Sequence, residues 1–347
     1  AYFDSPKYAV WPDAYLVTAN QGDLPPVYAL DRENMLSPDG ATCPTARPMQ
    51  KIQGADGLPA LSVEALTPAD LDGRLPPVPS PAFLLRHRDE ELNGDLDQDP
   101  LTDQLEVWSL IVDFADAAQT TMVQLADVTI SDFDSNLCPP IEIFSCIPQP
   151  GGAPALDPML EVVMNRLTYR YFGSHETLVG VLQTDVNDSP DHSGERWFEL
   201  RRTPAGSGDW TLFQEGTYSP DGDGRFMGTV AMDGGGNMLL AYNVSSTTVF
   251  PSLRYTGRQV GDPLGVMTVA ETTLAAGSAA NSSNLYGSYN QMGVDPVDEC
   301  TFWFLGMYNP SGKGVRIGAV RFDLCNVSMF ADGFESGDVS AWSASLP

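Results

Sequence analysis

The chain has 347 residues, of which 46 are acidic and 18 basic, so its formal net charge is −28. This charge argues against a nucleic-acid partner, because phosphate binding needs a concentrated cationic surface. No apolar run is long enough for a spanning helix, so we also predict no membrane insertion. The length suffices to bury the core of one large all-β domain.

Short runs of β-branched and aromatic residues alternate with turn residues along the whole chain, which contains 32 glycines and 28 prolines. This pattern is typical of many short antiparallel strands. The runs form groups of about four, the last group being one strand short. Groups of this kind predict an all-β propeller of four-stranded antiparallel blades, about five in this chain and six to eight in the intact ring. The predicted blades lie within residues 1–60, 61–135, 155–217, 218–275 and 285–325.

Three segments outside the regular strand pattern receive their own predictions. The stretch "LTPADLDG", which follows the first group, is predicted as a short helical connection between blades. Farther along, "PDGDG" and "DGGGN" supply the turn residues that join tight strands, and we interpret both as hairpin turns rather than metal loops. Residues 326–347 are predicted to form an acidic C-terminal tail outside the propeller.

One acidic stretch, "DLDQDPLTDQLE", has the oxygen-ligand spacing of a calcium loop. Pro100 stands where an EF-hand loop needs a glycine with positive φ, so the expected geometry is not that of an EF-hand. The alternative is a solvated acidic hairpin tip. The calcium hypothesis assigns five ligands: Asp95, Asp97, Asp99, Asp103 and Glu106.

The five cysteines include two pairs that are close in sequence, Cys138 with Cys146 and Cys300 with Cys325. With three histidines and no CxxC motif, a zinc site is not expected. We predict two disulfides and an extracellular protein. Cys43 is then left either as a buried thiol or as the partner of a cysteine elsewhere in a longer polypeptide.

Several runs, among them "PKYAVWPDAYLVTAN", "LTYRYFGSHETLV", "RWFELRR" and "VDPVDECTFWF", resemble a widespread group of secreted bacterial β-propeller proteins. That group is largely uncharacterised and is loosely sialidase-like in architecture. The resemblance spans about residues 2–325 and carries no agreed catalytic motif. Such relatives have further blade sequence before the "PKYAVWPDAY" stretch. The resemblance therefore implies that the N-terminal remainder of the propeller is missing from this chain.

Candidate catalytic residues follow from the two carbohydrate chemistries that a sialidase-like architecture suggests. A sialidase needs arginines for a carboxylate and a tyrosine beside a glutamate, whereas a polysaccharide lyase needs a Tyr or His base. The catalytic residues are unknown, and the principal candidates are His175, Glu176, Arg254 and Tyr289. Arg196, Arg225 and Tyr255 are further side chains of suitable type.

The function predicted first is an extracellular binding, adhesion or structural role for a secreted, acidic, calcium-stabilised propeller. Its expected partner is a glycan, a matrix component or another copy of the chain. The alternative is a carbohydrate-active enzyme that acts at the channel mouth, either a sialidase-like glycoside hydrolase or a polysaccharide lyase. Two carboxylates about 5 to 10 Å apart at one channel mouth, or an arginine cluster facing a Tyr–Glu pair, would favour the enzyme.

Overall fold

The coordinates are a computed structural model of the chain. They describe residues 4–20, 26–37, 49–52, 66–90, 102–135, 137–138, 145–159, 162–187, 191–204 and 209–325. The residues outside these ranges include Cys43, three of the five predicted calcium ligands (Asp95, Asp97 and Asp99) and the predicted tail, 326–347.

Blades 1 and 2 are antiparallel sheets whose strands follow chain order from the inner to the outer edge. The strands of blade 1 are β1 (Asp4–Val10), β2 (Ala14–Asn20), β3 (Val27–Asp31) and β4 (Met49–Ile52). A single helical turn, α1 (Arg32–Met35), follows β3. The strands of blade 2 are β5 (Thr67–Asp72), β6 (Ala82–Arg88), β7 (Gln104–Ile111) and β8 (Thr121–Thr129).

Blades 3 and 4 repeat this four-stranded meander. The strands of blade 3 are β9 (Leu167–Tyr171), β10 (Glu176–Asp185), β11 (Ser193–Arg202) and β12 (Thr211–Tyr218). The strands of blade 4 are β13 (Gly224–Met232), β14 (Met238–Ser245), β15 (Ser252–Arg258) and β16 (Val269–Ala275). Blade 5 has three strands within the described residues, β17 (Gln291–Val294), β18 (Thr301–Tyr308) and β19 (Gly314–Arg321). Short 3₁₀ turns occur at Ala117–Gln119 and Pro150–Gly152.

The first strands of successive blades lie side by side, which is the arrangement of blades around an axis. β5 and β9 pair in parallel, and Arg166, just before β9, forms ion pairs with Asp70 and Asp72 of β5. Arg170 of β9 reaches Glu299 in the turn before β18, with 2.8 Å between Nη1 and Oε2. The all-β propeller prediction is confirmed, and the described strands form five blades.

The predicted helix in "LTPADLDG" is wrong, because Thr67–Asp72 is strand β5. The Thr-Pro-Ala-Asp pattern has the form of a helix start, with a capping residue and proline in the first turn. Strand pairing outweighs that local preference. β5 pairs with β6 at Thr67 and Pro68 and with β9 from Ala69 onward, so the proline stands at the beginning of the strand.

The two predicted disulfides are present. Cys138 is bonded to Cys146 and Cys300 to Cys325, with Cα–Cα distances of 5.5 and 5.7 Å. The first closes a loop beside the apolar cluster shared by blades 3 and 4, and the second ties the end of blade 5 to its own turn. Within the described ranges, no helix has the length and apolar character needed to cross a membrane.

Candidate functional site

An open cavity of about 710 Å³ lies at one end of blade 3. Three segments contribute described residues to it: residues 132–134 after β8, residues 184–187 at the end of β10 together with His192 before β11, and Thr217 of β12 with residues 219–221 after it. In an up-and-down meander, the second and fourth strands of a blade end on the same side, so all three segments lie on one face of the propeller. We call this cavity the Asp185 pocket. Its polar lining consists of Asp132, Asp134, Thr184, Asp185, Asn187, His192, Thr217, Ser219 and Asp221.

Asp185 is the most enclosed carboxylate of the pocket, with 9% of its surface exposed. Its Oδ1 accepts hydrogen bonds from the amides of His192 at 2.7 Å and Asn187 at 3.0 Å. Its own amide donates to the carbonyl of Asp134 at 2.7 Å. Burial raises the pKa of Asp185, and the negative charges of Asp191 and Asp134 raise it further, although the two amide bonds oppose the shift.

Asp221 lies in the opposite electrostatic environment. Its side chain is 51% exposed, and Oδ1 accepts a hydrogen bond from Arg225 Nη1 at 2.8 Å. The hydrogen bonds from Arg225 lower the pKa of Asp221, and the amide of Asp223 and the charge of Arg254 act in the same direction. One pocket therefore contains a carboxyl group that holds its proton more tightly than usual and one that holds it less tightly.

His192 connects the two carboxyl residues. Its backbone amide donates to Asp185, and its ring Nε2 lies 3.0 Å from the carbonyl oxygen of Asp221. The pocket lining carries no arginine or lysine side chain within the described residues. Arg196 of β11 lies outside the lining and contacts Glu215, the carbonyl of Ser131 and the hydroxyl of Thr217. The charged side chains of the lining are therefore carboxylates, and Arg225 pairs with one of them, Asp221, from outside the lining.

The predicted residue Glu176 lies in a separate, closed cluster. Its side chain is inaccessible to solvent and accepts two hydrogen bonds of 2.8 Å from Arg202 and one of 2.6 Å from Tyr169. Burial, followed by the bond to Glu176, raises the pKa of Tyr169. Arg202 also lies over the rings of Phe83 and Trp210, at 4.4 and 4.9 Å. This tyrosine–glutamate pair is the type that a sialidase would use, but it packs between blades 2 and 3, where a substrate cannot reach it.

Arg225 and Arg254 meet at a second such cluster in blade 4. Both bind Glu271, with N–O distances of 2.9 Å, and Tyr242 donates to the same carboxylate at 2.8 Å. The side chain of Arg225 is fully buried, whereas those of Arg254 and Glu271 are 18% and 17% exposed. Because their donors are directed at protein carboxylates, these arginines are not arranged to grip a sugar carboxylate.

The remaining catalytic candidates are dispersed. His175 lies in the β9–β10 turn, at the opposite end of blade 3 from the pocket, where its ring stacks on Phe172 at 5.0 Å. Burial lowers its pKa, and the charge of Arg201 adds to the effect. Tyr289 precedes β17 with a positive φ of 58°, and Tyr255 packs against the apolar cluster between blades 4 and 5. The structure does not bring His175, Arg254 and Tyr289 together.

Two of the five predicted calcium ligands lie within the described residues. Asp103 accepts the amides of Glu90 at 2.9 Å and Phe133 at 2.6 Å, and burial raises its pKa to about 6. Glu106 binds Arg86 through both oxygens, at 2.6 and 2.9 Å. In the part of the chain that the structure describes, no three His, Cys, Asp or Glu side chains are arranged to hold a metal ion. The five-ligand calcium site stays a prediction.

The sequence pattern did not indicate Asp185 or His192 as site residues, and it indicated Asp221 only as a turn residue. A usable signal was present, because "DVNDSPDH" places carboxylates and a histidine directly after a strand in a turn-rich loop. What the sequence lacked was the connection to residues 132–134, about 50 positions earlier, which complete the pocket.

Comparisons with known proteins give only distant similarities. No protein-family model and no curated protein matches the chain. An α-L-arabinofuranosidase from Fusarium graminearum has a TM-score of 0.42 at 13% identity, with 92% of this chain and 93% of that chain covered. An endo-arabinase from Bacteroides thetaiotaomicron has a TM-score of 0.39 at 8% identity, with 93% of this chain and 94% of that chain covered. A Hadza microbial sialidase has a TM-score of 0.38 at 10% identity, with 92% of this chain and 66% of that chain covered. Similarity at this level identifies neither an activity nor a substrate for this chain.

Proposed function

We propose that the protein is a carbohydrate-active enzyme, a glycoside hydrolase with its catalytic centre in the Asp185 pocket. The observation that carries this proposal is the pair of carboxyl groups, Asp185 and Asp221, whose pKa values are shifted in opposite directions within one cavity. Opposite shifts are what an acid and a base need when both must operate at the same pH.

Each carboxyl group suits one half of glycoside hydrolysis. Asp185, with its raised pKa, is the general acid that protonates the glycosidic oxygen as the bond to the anomeric carbon breaks. Asp221, with its lowered pKa, is the ionised group that either attacks that carbon or removes a proton from the attacking water. His192 contacts both residues and fixes the Asp185 carboxylate through its amide.

The other lining groups fit a polyhydroxylated ligand. Thr184, Asn187, Thr217 and Ser219 supply hydroxyl and amide groups around the two carboxylates. A cavity of about 710 Å³ lies in the range that small-molecule sites occupy. We further propose that the enzyme works outside the cell, which the two disulfides support.

The test is turnover of a panel of fluorogenic aryl glycosides and of neutral polysaccharides by the purified protein and by three variants. Asp221→Asn should abolish hydrolysis of every substrate. Asp185→Asn should abolish hydrolysis of glycosides with poor leaving groups but retain activity on dinitrophenyl glycosides, which need no acid. Asp323→Asn, at an exposed aspartate in blade 5, is the control and should leave turnover unchanged.

Two results would count against this proposal, the first against the enzyme and the second against the site. Absence of turnover across the panel, combined with glycan binding in calorimetry, would favour the binding role instead. Hydrolysis of glycosides with poor leaving groups that survives both Asp185→Asn and Asp221→Asn would place the catalytic centre elsewhere.

A further inference from the structure

The backbone on both sides of Asp132 is fixed at the edge of the Asp185 pocket. Before it, the amide and the hydroxyl of Ser131 both donate to Oε1 of Glu215, at 2.9 and 2.6 Å. After it, the amide of Phe133 donates to a buried carboxylate at 2.6 Å. Asp132 itself is exposed and lines the cavity, so its carboxylate faces any ligand that the pocket binds.

Other carboxylates also lie close to that of Asp185. The charges of Asp191 and Asp134 are among the causes that raise the pKa of Asp185, so both residues lie within electrostatic reach of it. Asp221 lines the same cavity. An acidic group on a ligand bound beside Asp185 would therefore meet several negatively charged side chains at short range, which is unfavourable.

Two arginines adjoin the pocket, and both are bound by carboxylates of the protein. Arg196 donates to the hydroxyl of Thr217, which lines the cavity, but its side chain is only 9% exposed and pairs with Glu215. The side chain of Arg225 is fully buried and pairs with Asp221 and with a second carboxylate. A carboxylate on a ligand would have to displace a protein carboxylate to gain either arginine as its partner.

Uncharged groups of the lining are available to a ligand. Asn187 lines the cavity and is exposed, so its side-chain amide is accessible. Ser219 also lines the cavity, and its hydroxyl has no hydrogen-bond partner among the described residues. Amide and hydroxyl groups suit the hydroxyl groups of a sugar, whereas the planar fork of arginine suits a carboxylate. The accessible groups of the pocket therefore match an uncharged sugar.

We propose that the Asp185 pocket binds neutral glycans and excludes glycans that carry a carboxylate, with Asp132 as a specificity-determining residue. This inference rests on the proposed function, because it concerns the substrate of the same catalytic centre. A sialidase or a lyase of acidic polysaccharides needs cations for the sugar carboxylate, and the described lining places carboxylates there instead. Repulsion between like charges gives the discrimination, since it disfavours the acidic sugar without strengthening the binding of the neutral one.

The test compares aryl glycosides that differ only in a hydroxymethyl or a carboxylate group, namely the glucoside with the glucuronide and the galactoside with the galacturonide. Neutral aryl pentosides and an acidic aryl sialoside complete the panel. For the acidic glycosides, kcat/KM should be at least about tenfold lower than for the neutral ones, and about 1 M salt should narrow the difference. Asp132→Lys should raise kcat/KM of the acidic glycosides relative to the neutral ones by about tenfold. Asp323→Lys makes the same charge change at an exposed site in blade 5 and should leave the ratio unchanged.

Hydrolysis of the acidic glycosides at the rate of the neutral ones would overturn this inference and leave the proposed enzyme in place. No gain for the acidic glycosides in Asp132→Lys would overturn the role of Asp132.

If no glycoside is hydrolysed, the proposed function fails, and an NMR titration of the Asn187 and His192 amides tests the substrate class by itself. The ligands are neutral oligosaccharides of glucose, galactose and xylose, and acidic oligosaccharides of glucuronate and galacturonate. Shifts with neutral ligands alone would support the inference. Shifts with the acidic ligands, or with no ligand of either kind, would overturn it.

Discussion

Two groups of carboxylates in blade 3 show why residue type alone does not mark a catalytic site. Glu176 has a tyrosine and an arginine beside it, yet it is fully buried and all its partners belong to the protein. Asp185 and Asp221 have simpler surroundings, but they line a cavity that a ligand can enter. The first group stabilises the packing of blades, and the second is available for chemistry.

The two groups differ in how much of each carboxylate is bound by protein donors and how much is exposed to solvent. Glu176 is inaccessible to solvent and accepts two hydrogen bonds from Arg202 and one from Tyr169. The positive charge of Arg202 thus compensates the negative charge of the Glu176 carboxylate. Asp221 also has an arginine partner, but half of its side chain remains exposed. Substitutions in the two groups should therefore affect different properties, stability in one and activity in the other.

The largest loss of folding stability is expected for Arg202→Met. The substitution leaves Glu176 as a buried charge without its cation, which should cost about 3–5 kcal/mol of the free energy of unfolding. Urea denaturation measures it. The control is Arg321→Met, which breaks the exposed ion pair with Asp298 and should leave stability nearly unchanged. If both variants lose the same stability, the buried cluster does not have the role assigned to it.

A smaller loss is expected for Tyr169→Phe. The hydroxyl donates to the Glu176 carboxylate at 2.6 Å, and loss of a hydrogen bond to a charged group costs about 1.5–3 kcal/mol. The ring itself still packs between Trp11 and Phe83, so no cavity forms. Thermal unfolding should show the loss, while turnover of any glycoside should stay that of the parent protein. A turnover defect at unchanged stability would move Tyr169 into the catalytic machinery.

Glu195 in β11 provides a pH test of the same contrast, because it is buried against Gly228 in the bulge of β13. Burial raises the pKa of Glu195 to about 8, from an ordinary value of 4.5, although the amide of Gly228 and the charge of Arg225 oppose the shift. The unfolded chain therefore releases this proton first as the pH rises. The contribution of Glu195 to stability should fall between about pH 4.5 and pH 8 and then level off.

Glu195→Gln removes this titration and should flatten the decline. At pH 8.5 the variant should be about 1–2 kcal/mol more stable than the parent chain, since no buried ionised group remains. Denaturant melts at a series of pH values give the comparison. Parallel pH profiles for the two proteins would show that Glu195 does not hold its proton in the folded state.

The sequence predicted the propeller because strand periodicity and turn chemistry are local properties, and both disulfides were predicted because their cysteines are close along the chain. "LTPADLDG" was misjudged because its local helix-start signal is outweighed by pairing with β9, which lies about 100 residues away. Glu176 was chosen for its residue type, but its burial depends on Arg202 and Phe83 from other strands. Asp185 was overlooked because its partner Asp134 belongs to a different blade connection.

The smallest effect on stability is expected for Asp134→Asn, in the pocket. Its charge is one of the causes that raise the pKa of Asp185, so its removal should lower that pKa while the folding free energy changes by no more than about 0.5 kcal/mol. Carbon-detected NMR titration of the Asp185 carboxyl measures the shift without any substrate. The backbone carbonyl of Asp134, which accepts the amide of Asp185, is kept in the variant, so a change would report charge rather than geometry. In a glycoside hydrolase that uses Asp185 as its acid, the alkaline limb of the pH–rate profile must move to lower pH by the same amount. If the pKa of Asp185 falls but the alkaline limb of the pH–rate profile does not move, Asp185 is not the catalytic acid.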